Sequence, residues 1–205
     1  MAVITEINLQ KNKKRASVFV DNAFFCGLMV ETIVANRLKV GQEVDENDLK
    51  RVITESETKR ACEYLLSLIS AKMYSKNELK TKLKNKGYES EVIENAIHKL
   101  EECGYINDED YARLYAQSAG LKSARQIQQK LFQKGINCEI VQNAVNECKI
   151  QGEEDKIRQI SAKYMRNREK SAENLQKLKR YLFSKGFSYD DINKIVGEDG
   201  YESWN

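Results

Sequence analysis

The chain has 205 residues, of which 34 are lysine or arginine and 31 are aspartate or glutamate, for a formal net charge of +3. With 41% hydrophobic residues it matches a folded globular protein and not a disordered one. The longest apolar run, AFFCGLMV, is too short to cross a bilayer, and the first 15 residues contain no apolar signal-peptide core. These features predict a cytoplasmic protein without membrane contact. The absence of proline favours long, uninterrupted helices.

The chain contains five cysteines and one histidine. No pair of cysteines forms a CxxC motif, and a single histidine cannot complete a Cys/His zinc set. The pattern predicts no metal and no cofactor. We interpret the cysteines as buried, reduced thiols: Cys26, Cys62, Cys103, Cys138 and Cys148.

The first 55 residues differ in kind from the rest. Three short segments, VITEINLQ, ASVFV and AFFCGLMV, are rich in β-branched and aromatic residues and are separated by the turn-like KNKKR and DN. They predict a β-hairpin or a three-stranded sheet, followed by a short helix at ETIVANRL and an extended connection at KVGQEV. The segment that begins at Asp45 is either one long helix or two helices that break near Ser56.

One phrase then recurs at intervals of about 50 residues: LKNKGY, LFQKGI and LFSKGF. Each follows a serine that has a capping-box partner three residues later, in the pairs Ser75/Glu78, Ser123/Gln126 and, more weakly, Ser171/Asn174. Each phrase contains Lys-Gly just before its last residue, which predicts a helix stop with the glycine at positive φ and the lysine at the negative end of the helix dipole. Helical apolar spacing also precedes each serine and follows each glycine.

The sequence therefore predicts a mainly α fold, a tandem array of three three-helix repeats in an elongated, curved arrangement with a small N-terminal β element. The predicted domains are the β element with its short helix (1–55), repeat 1 (56–106), repeat 2 (107–152), and repeat 3 with a short acidic tail (153–205).

The charge follows the same period. Residues 122–134, for example, contain four cations and no acid, whereas the second half of each repeated phrase is acidic. Equivalent helices line one side of a repeat array, so we predict a continuous basic stripe that suits a polyanion or an acidic protein groove. Tyr74 and Tyr181 are candidate stacking groups within it, whereas Phe132 and Phe183 are predicted to be core residues. The alternative is a set of solvated faces. The candidate binding cations are Lys76, Lys80, Lys84, Lys122, Arg125, Lys130, Lys163, Arg166, Arg168, Lys177, Lys179 and Arg180.

Nothing in the sequence indicates catalysis. The chain contains no GxxxxGK[ST], GxGxxG or GxSxG motif. His98 lies among acidic residues and is predicted to be on the surface. The acidic segment NDED at 107–110 is better explained by Asn107 or Asp108 as a helix N-cap than by a metal site. We predict a protein that is not an enzyme.

Several of these segments together resemble one known family. GYINDEDYARLYA at 104–116, preceded by ELKTKLKNKGYESEVIENAIHKLEE and followed by QKLFQKGINCEIVQNAV, is similar to the bacterial regulatory protein RecX family. The similarity extends through all three repeats. Motif residues of that family, which we interpret as structural, are Lys86, Gly87, Gly104, Tyr105, Asp108, Tyr111, Ala112, Lys134, Gly135, Ile136, Lys185 and Gly186.

The resemblance implies a function that composition cannot supply. RecX proteins bind the RecA recombinase, lodge in the groove of its DNA filament, and restrain filament assembly, ATPase activity and strand exchange. It therefore implies a monomeric modulator of homologous recombination and the SOS response, with weaker, sequence-tolerant binding to single- or double-stranded DNA. Two alternatives remain: a stand-alone nucleic-acid-binding protein, since three-helix units can present a recognition helix, and a helical-repeat adaptor for an acidic partner.

Overall fold

The computed structural model describes residues 2–11, 13–150 and 152–197, and omits the side chains of residues 148–150. Ten helices and four strands lie in these described ranges, which confirms the mainly α fold. The chain forms two compact units. The first comprises the N-terminal residues through Tyr74 together with Leu79–Ile106, and the second comprises Ser75–Glu78 and the chain from Asn107 onward. The predicted acidic tail and the Cys148 thiol lie outside the described residues.

The N-terminal element is a four-stranded antiparallel sheet with the order β3-β2-β1-β4. Its strands are β1 (Ala2–Leu9), β2 (Arg15–Val20), β3 (Ala23–Met29) and β4 (Glu43–Val44), and helix α1 (Val30–Ala35) lies between the last two. Asp21 and Asn22 both have positive φ, which suits the tight β2–β3 hairpin. The predicted sheet lacked β4, because a two-residue strand is too short to show alternation in the sequence.

A single helix, α2 (Glu46–Ile69), leads from the sheet into the first repeat. The Asp45 side chain caps it by accepting from the amides of Asn47 and Asp48. The helix passes Ser56 without a break, so the single-helix alternative is correct. Its first half packs in the core of the sheet through Leu49 and Ile53, and its second half packs in the core of repeat 1.

The remaining helices form the three predicted three-helix repeats. They are α3 (Lys76–Lys86) and α4 (Ser90–Glu102), which complete repeat 1 with α2; α5 (Asp108–Gln117), α6 (Ala124–Gln133) and α7 (Cys138–Ile150); and α8 (Glu153–Met165), α9 (Ala172–Ser184) and α10 (Tyr189–Val196). Each repeat has its own hydrophobic cluster. At equivalent positions of the middle helices the core residues are fully buried, in the pairs Leu79/Leu83, Ile127/Leu131 and Leu178/Leu182.

The predicted helix starts and stops are confirmed. Ser75 with Glu78 and Ser123 with Gln126 form reciprocal capping boxes, whereas Ser171 only accepts from the Asn174 amide. The Asn174 side chain donates elsewhere, to the Glu169 carbonyl. The three stop glycines have positive φ values: 91° at Gly87, 75° at Gly135 and 89° at Gly186.

Several predictions about burial are wrong. Phe132 and Phe183 are 44% and 57% exposed, because each directly follows a buried leucine and a helix turns by about 100° per residue. Tyr105, a family-motif residue that we interpreted as structural, is 57% exposed. The cysteines are not uniformly buried either: Cys103 and Cys138 are exposed, and all four cysteines whose side chains the structure describes are free thiols.

The capping serines also join one repeat to the next. The Ser75 hydroxyl donates to the Lys134 carbonyl of repeat 2, and the Ser123 hydroxyl donates to the Lys185 carbonyl of repeat 3, both at 2.7 Å. These carbonyls belong to the free last turns of α6 and α9. Each serine therefore caps its own helix at the N-terminus and a helix of the following repeat at the C-terminus.

Backbone amides at the starts of α3 and α6 also form hydrogen bonds, in which carboxylates farther along the chain are the acceptors. Asp108 Oδ1 accepts from the Lys76 amide at 2.8 Å, and Glu153 Oε1 accepts from the Ala124 amide at 2.9 Å. At the equivalent place in α2, Glu57 Oε1 accepts from the Met29 amide at 3.3 Å. The first helix of each repeat thus supplies an acid to a free helix N-terminus that precedes it in the chain. The sequence predicted acids only for the dipole of their own helix.

Candidate functional site

A basic cleft lies between the second and third repeats, within the second compact unit. Its volume is about 460 Å³. The described lining residues are three lysines, two tyrosines, one amide and two aliphatic residues, with no carboxylate among them: Leu121, Lys122, Gln126, Ile160, Lys163, Tyr164, Tyr181 and Lys185.

The bond between Ser123 and Lys185 places two of these lysines on one cleft. It fixes the start of α6 against the end of α9, so that Lys122, directly before the capping serine, and the Lys185 side chain both line it. Lys163 comes from the last turn of α8. The same cap-to-stop connection that holds the repeats together therefore assembles the basic wall.

The aromatic wall is a pair of tyrosines in contact. The ring centroids of Tyr164 and Tyr181 are 5.0 Å apart with planes inclined by 30°. The Arg168 guanidinium lies 3.9 Å from the Tyr164 centroid, and Lys185 Nζ lies 5.3 Å from the Tyr181 centroid. Tyr181 keeps 37% of its surface exposed. A planar ring at the edge of a cationic cleft is suited to stacking.

No ion pair among the described residues neutralises the lysines of the cleft. Within the described ranges, Lys122, Lys163 and Lys185 make no ion pair. Lys122 Nζ donates to the Tyr115 hydroxyl at 3.3 Å, and Lys156 Nζ approaches from outside the lining to donate to the Lys122 carbonyl at 3.3 Å. Three lysines line the cavity, and no carboxylate is among its described lining residues, so the described lining has a positive potential.

The other candidate cations are not all available for a partner. The Lys80 ammonium binds the Glu94 carboxylate at 2.6 Å, and Lys177 binds Glu173 at 2.7 Å. Lys179 and Lys130 donate to side-chain amides at 3.0 Å and 2.9 Å. The backbone amide of Lys76 is capped by Asp108, and Arg168 donates to the Tyr164 carbonyl. Besides Lys122 and Lys163 of the cleft, the candidates that are exposed and make no ion pair in the described part of the chain are Lys84, Arg125, Lys130, Arg166, Arg168 and Arg180.

None of the candidate cations in the middle helices has a basic residue at the equivalent position of both other repeats. When the helices are matched on their buried residues, Lys80 and Lys179 correspond to the uncharged Gln128. Arg180 corresponds to Gln129 of α6 and to Thr81 of α3. The continuous basic stripe therefore stays a prediction, and the clearest concentration of described cations is the cleft.

A larger cavity of about 580 Å³ lies on the other flank of α9. It is lined by Arg125 and the exposed Phe183, but also by three carboxylates, Glu153, Glu154 and Asp191. This mixture of charges does not suit a polyanion. Arg125 thus lies apart from the three lysines with which the sequence grouped it.

The family-motif residues lie mostly at helix ends and in cores. Tyr111, Ala112 and Ile136 are buried. Gly104 ends α4 with a φ of 73°. Lys134 Nζ binds the Glu78 carboxylate, and this hydrogen bond raises the pKa of the Lys134 ammonium. Lys86 Nζ lies 3.7 Å from the Tyr64 ring centroid.

Sequence reasoning missed two residues of the cleft. Lys185 was explained as a helix-stop lysine, and its carbonyl does have that structural role while its side chain lines the cleft. Tyr164 was not singled out, because its spacing on α8 resembles that of an apolar core residue. Sequence reasoning also did not single out Lys82, which lies outside the cleft and whose Nζ is 5.1 Å from the Tyr74 ring centroid in the first unit. The signal that could have found these residues is the recurrence of a tyrosine close to basic residues.

Two other kinds of site receive no support from the described residues. Those residues contain no group of three or more His, Cys, Asp or Glu side chains placed to hold a metal ion. Across the same residues, no helix is both long and apolar enough to cross a membrane. The single histidine, His98, is exposed as predicted, and its Nδ1 lies 3.3 Å from Glu102 on the same helix.

Comparison with known proteins identifies the family. Residues 2–45 match the regulatory protein RecX N-terminal domain, residues 61–100 the first RecX three-helix domain, and residues 152–196 the third. The chain is 31% identical over 194 residues to the regulatory protein RecX of Caldanaerobacter subterraneus subsp. tengcongensis, covering 95% of this chain and 98% of that one. It is 32% identical to the regulatory protein RecX of Clostridium tetani, covering 96% of each chain.

A solved structure agrees with these sequence matches. The crystal structure of a regulatory protein RecX superimposes with a TM-score of 0.66 at 25% identity, covering 96% of this chain and 98% of that chain. The sequence matches extend over nearly the whole length of both proteins. The chain therefore belongs to the RecX family of regulatory proteins.

Proposed function

We propose that this protein binds the RecA–DNA filament and restrains RecA assembly, ATPase activity and strand exchange. The observation that carries the proposal is its membership of the RecX family over nearly its full length. In this role it modulates homologous recombination and the SOS response in the cytoplasm, acting as a monomer and not as an enzyme.

The surface of the second unit supports this proposal. A RecA filament on DNA presents phosphates, and exposed lysines and arginines gain affinity for phosphates through counterion release. The cations suited to this are those without a carboxylate partner in the described chain, such as Lys130, Arg166 and Arg180. Cations that already bind a carboxylate, such as Lys177, would have to break that pair first.

A second candidate function is stand-alone, sequence-tolerant binding of nucleic acid. The cleft favours it, because three lysines and a pair of tyrosines line one cavity whose described lining contains no carboxylate. Lysines contact mainly the phosphate backbone, so such binding would discriminate little between sequences. Dependence on RecA separates the two functions.

Charge reversal tests the proposed filament interface. We expect the triple variant Lys130→Glu, Arg166→Glu, Arg180→Glu to lose binding to RecA filaments in co-sedimentation, since each change replaces attraction to phosphate by repulsion. Circular dichroism should show unchanged helicity, because all three side chains are exposed.

A matched control separates a local interface from net charge. Lys11, Lys39 and Lys59 are exposed lysines of the first unit that are not among the candidates. Reversing these three changes the net charge equally and should leave co-sedimentation intact. If the first triple variant still sediments with the filament, the exposed cations of the second unit are only a solvated face.

A further inference from the structure

We propose that the basic cleft between the second and third repeats holds one unpaired nucleotide, with its base stacked on Tyr181 and its phosphate between the lysines. The proposal gives a ligand class to the surface discussed above and rests on the proposed function only for its biological setting. It is argued from three lysines and two contacting tyrosines that line one cavity, with no carboxylate among the described lining residues.

The size and shape of the cleft suit a nucleotide. About 460 Å³ lies within the usual range of small-ligand pockets, roughly 300 to 1,000 Å³. Tyr181 is partly exposed, and its ring contacts that of Tyr164, which itself contacts the Arg168 guanidinium. A supported ring offers a base a platform that is already in place before binding.

The charges are arranged around that platform. Lys185 Nζ lies 5.3 Å from the Tyr181 centroid, and Lys122 and Lys163 line the same cavity. A phosphate attached to a stacked base is within the reach of flexible lysine side chains. The lining offers one side-chain amide, Gln126, to the edge of a base, so we expect weak discrimination between bases.

Stacking distinguishes a nucleotide from other anions. An acidic peptide would use the lysines but would gain little from an aromatic ring. A base within an intact duplex is stacked on its neighbours and cannot reach Tyr181 unless it is extruded. The cleft should therefore prefer single-stranded to duplex DNA, and its affinity should depend on the ring as well as on the charge.

The test is a fluorescence-anisotropy titration of the full-length protein, without RecA, on a short labelled oligo-dT strand. Tyr181→Ala and Tyr181→Leu should each weaken binding roughly tenfold, because a stacked base is lost, whereas Tyr181→Phe should bind like the wild type. The leucine variant keeps an apolar contact with Tyr164 in case the alanine variant unfolds.

The lysines are tested through salt dependence. Each phosphate contact contributes about 0.7 to the slope of log K against log salt for a single strand, so Lys163→Gln should lower that slope by about 0.7. Lys59→Gln, an exposed lysine of the first unit that is outside the cleft, should leave it unchanged. The slope reports charge, and the tyrosine variants report stacking.

Competition experiments distinguish a free nucleotide from a nucleotide within a strand as the ligand. Free dTMP and dTTP, added as competitors, displace the strand at micromolar concentration if the ligand is a free nucleotide, and fail to do so if the cleft needs a strand. The proposal is overturned if no strand or nucleotide binds, or if Tyr181→Leu binds as tightly as the wild type while Lys163→Gln binds more weakly. Because RecA is absent, failure here leaves filament binding to be judged separately.

Discussion

Single residues in this chain often have one role at the backbone and another at the side chain. Lys185 follows α9, accepts from Ser123 through its carbonyl, lines the cleft, and has its Nζ 5.3 Å from the Tyr181 ring centroid. Asp108 follows the Asn107 N-cap and accepts from the Lys76 amide in the preceding repeat. The prediction of each residue's role in its own helix was correct, but it missed the hydrogen bond that each residue makes to another helix.

Gly186 has two separate reasons to be glycine. Its φ is +89°, and a Cβ there would lie 2.9 Å from Ser123 Oγ and 3.2 Å from Arg125 Cβ. Gly120 has a φ of +58° with open space around it. We expect Gly120→Ala to lower the free energy of unfolding by about 1 kcal/mol through backbone strain alone. Gly186→Ala should lower it by about 3 kcal/mol, since the serine cannot move without losing its hydrogen bonds.

Urea denaturation followed by circular dichroism measures both glycine variants on the same scale. Equal losses for the two variants would contradict the close approach between α9 and Ser123.

Tyr88 makes stability depend on alkaline pH. Burial in the core of repeat 1 raises the pKa of its hydroxyl from 10 to about 12, since the phenolate is poorly solvated there. The folded protein therefore retains this proton more tightly than the unfolded chain. The resulting stability is fully present below pH 10 and is lost as the pH rises towards 12, by up to about 2 to 3 kcal/mol.

Tyr88→Phe removes the titrating hydroxyl and should therefore flatten the loss of stability between pH 10 and 12. Some loss should remain, because the pKa of Lys134 is also raised and acts in the same direction. Chemical denaturation at several alkaline pH values provides the measurement. A variant that loses stability as steeply as the wild type would show that Tyr88 is not the titrating group.

At the scale of elements, the repeats could be predicted because their signals are short-range. A capping serine, a stop glycine and helical apolar spacing all act within one turn of the residue that carries them. The connections between repeats could not be predicted, since nothing local identifies Lys185 as the partner of Ser123, 62 residues away. Phe132 and Phe183 were misplaced because residue type was given more weight than their position beside a buried leucine.

Two capping serines allow the connection between repeats to be separated from the cap itself. Ser123 and Ser171 each accept from the amide three residues on, but Ser123 is buried and also donates to the Lys185 carbonyl at 2.7 Å. Ser171→Ala should cost about 1 kcal/mol, the usual value of an N-cap. Ser123→Ala should cost about 2 kcal/mol, since it also leaves a carbonyl unpaired.

The comparison of these serine variants is again by urea denaturation, with circular dichroism as the signal. A Ser123→Ala variant no less stable than Ser171→Ala would show that the hydrogen bond between repeats contributes nothing net.

At the scale of the whole molecule, the proposed function rests on family membership more than on any one residue. The sequence predicted Lys122, Lys163 and Tyr181 as binding groups, and the structure places them on one cleft. It did not predict Lys185 or Tyr164 there, because a cleft between repeats is formed by residues distant in the chain. The proposed filament partner rests on membership of the RecX family and not on the charge pattern, since a basic surface alone fits any polyanion.

The most direct test of the central claim is the rate of ATP hydrolysis by a bacterial RecA on single-stranded DNA as this protein is added. We predict that turnover falls when the protein is substoichiometric or nearly stoichiometric to RecA, because bound protein restrains the filament. Unchanged turnover, together with tight binding to duplex DNA in the absence of RecA, would contradict the account and support the stand-alone nucleic-acid-binding function instead.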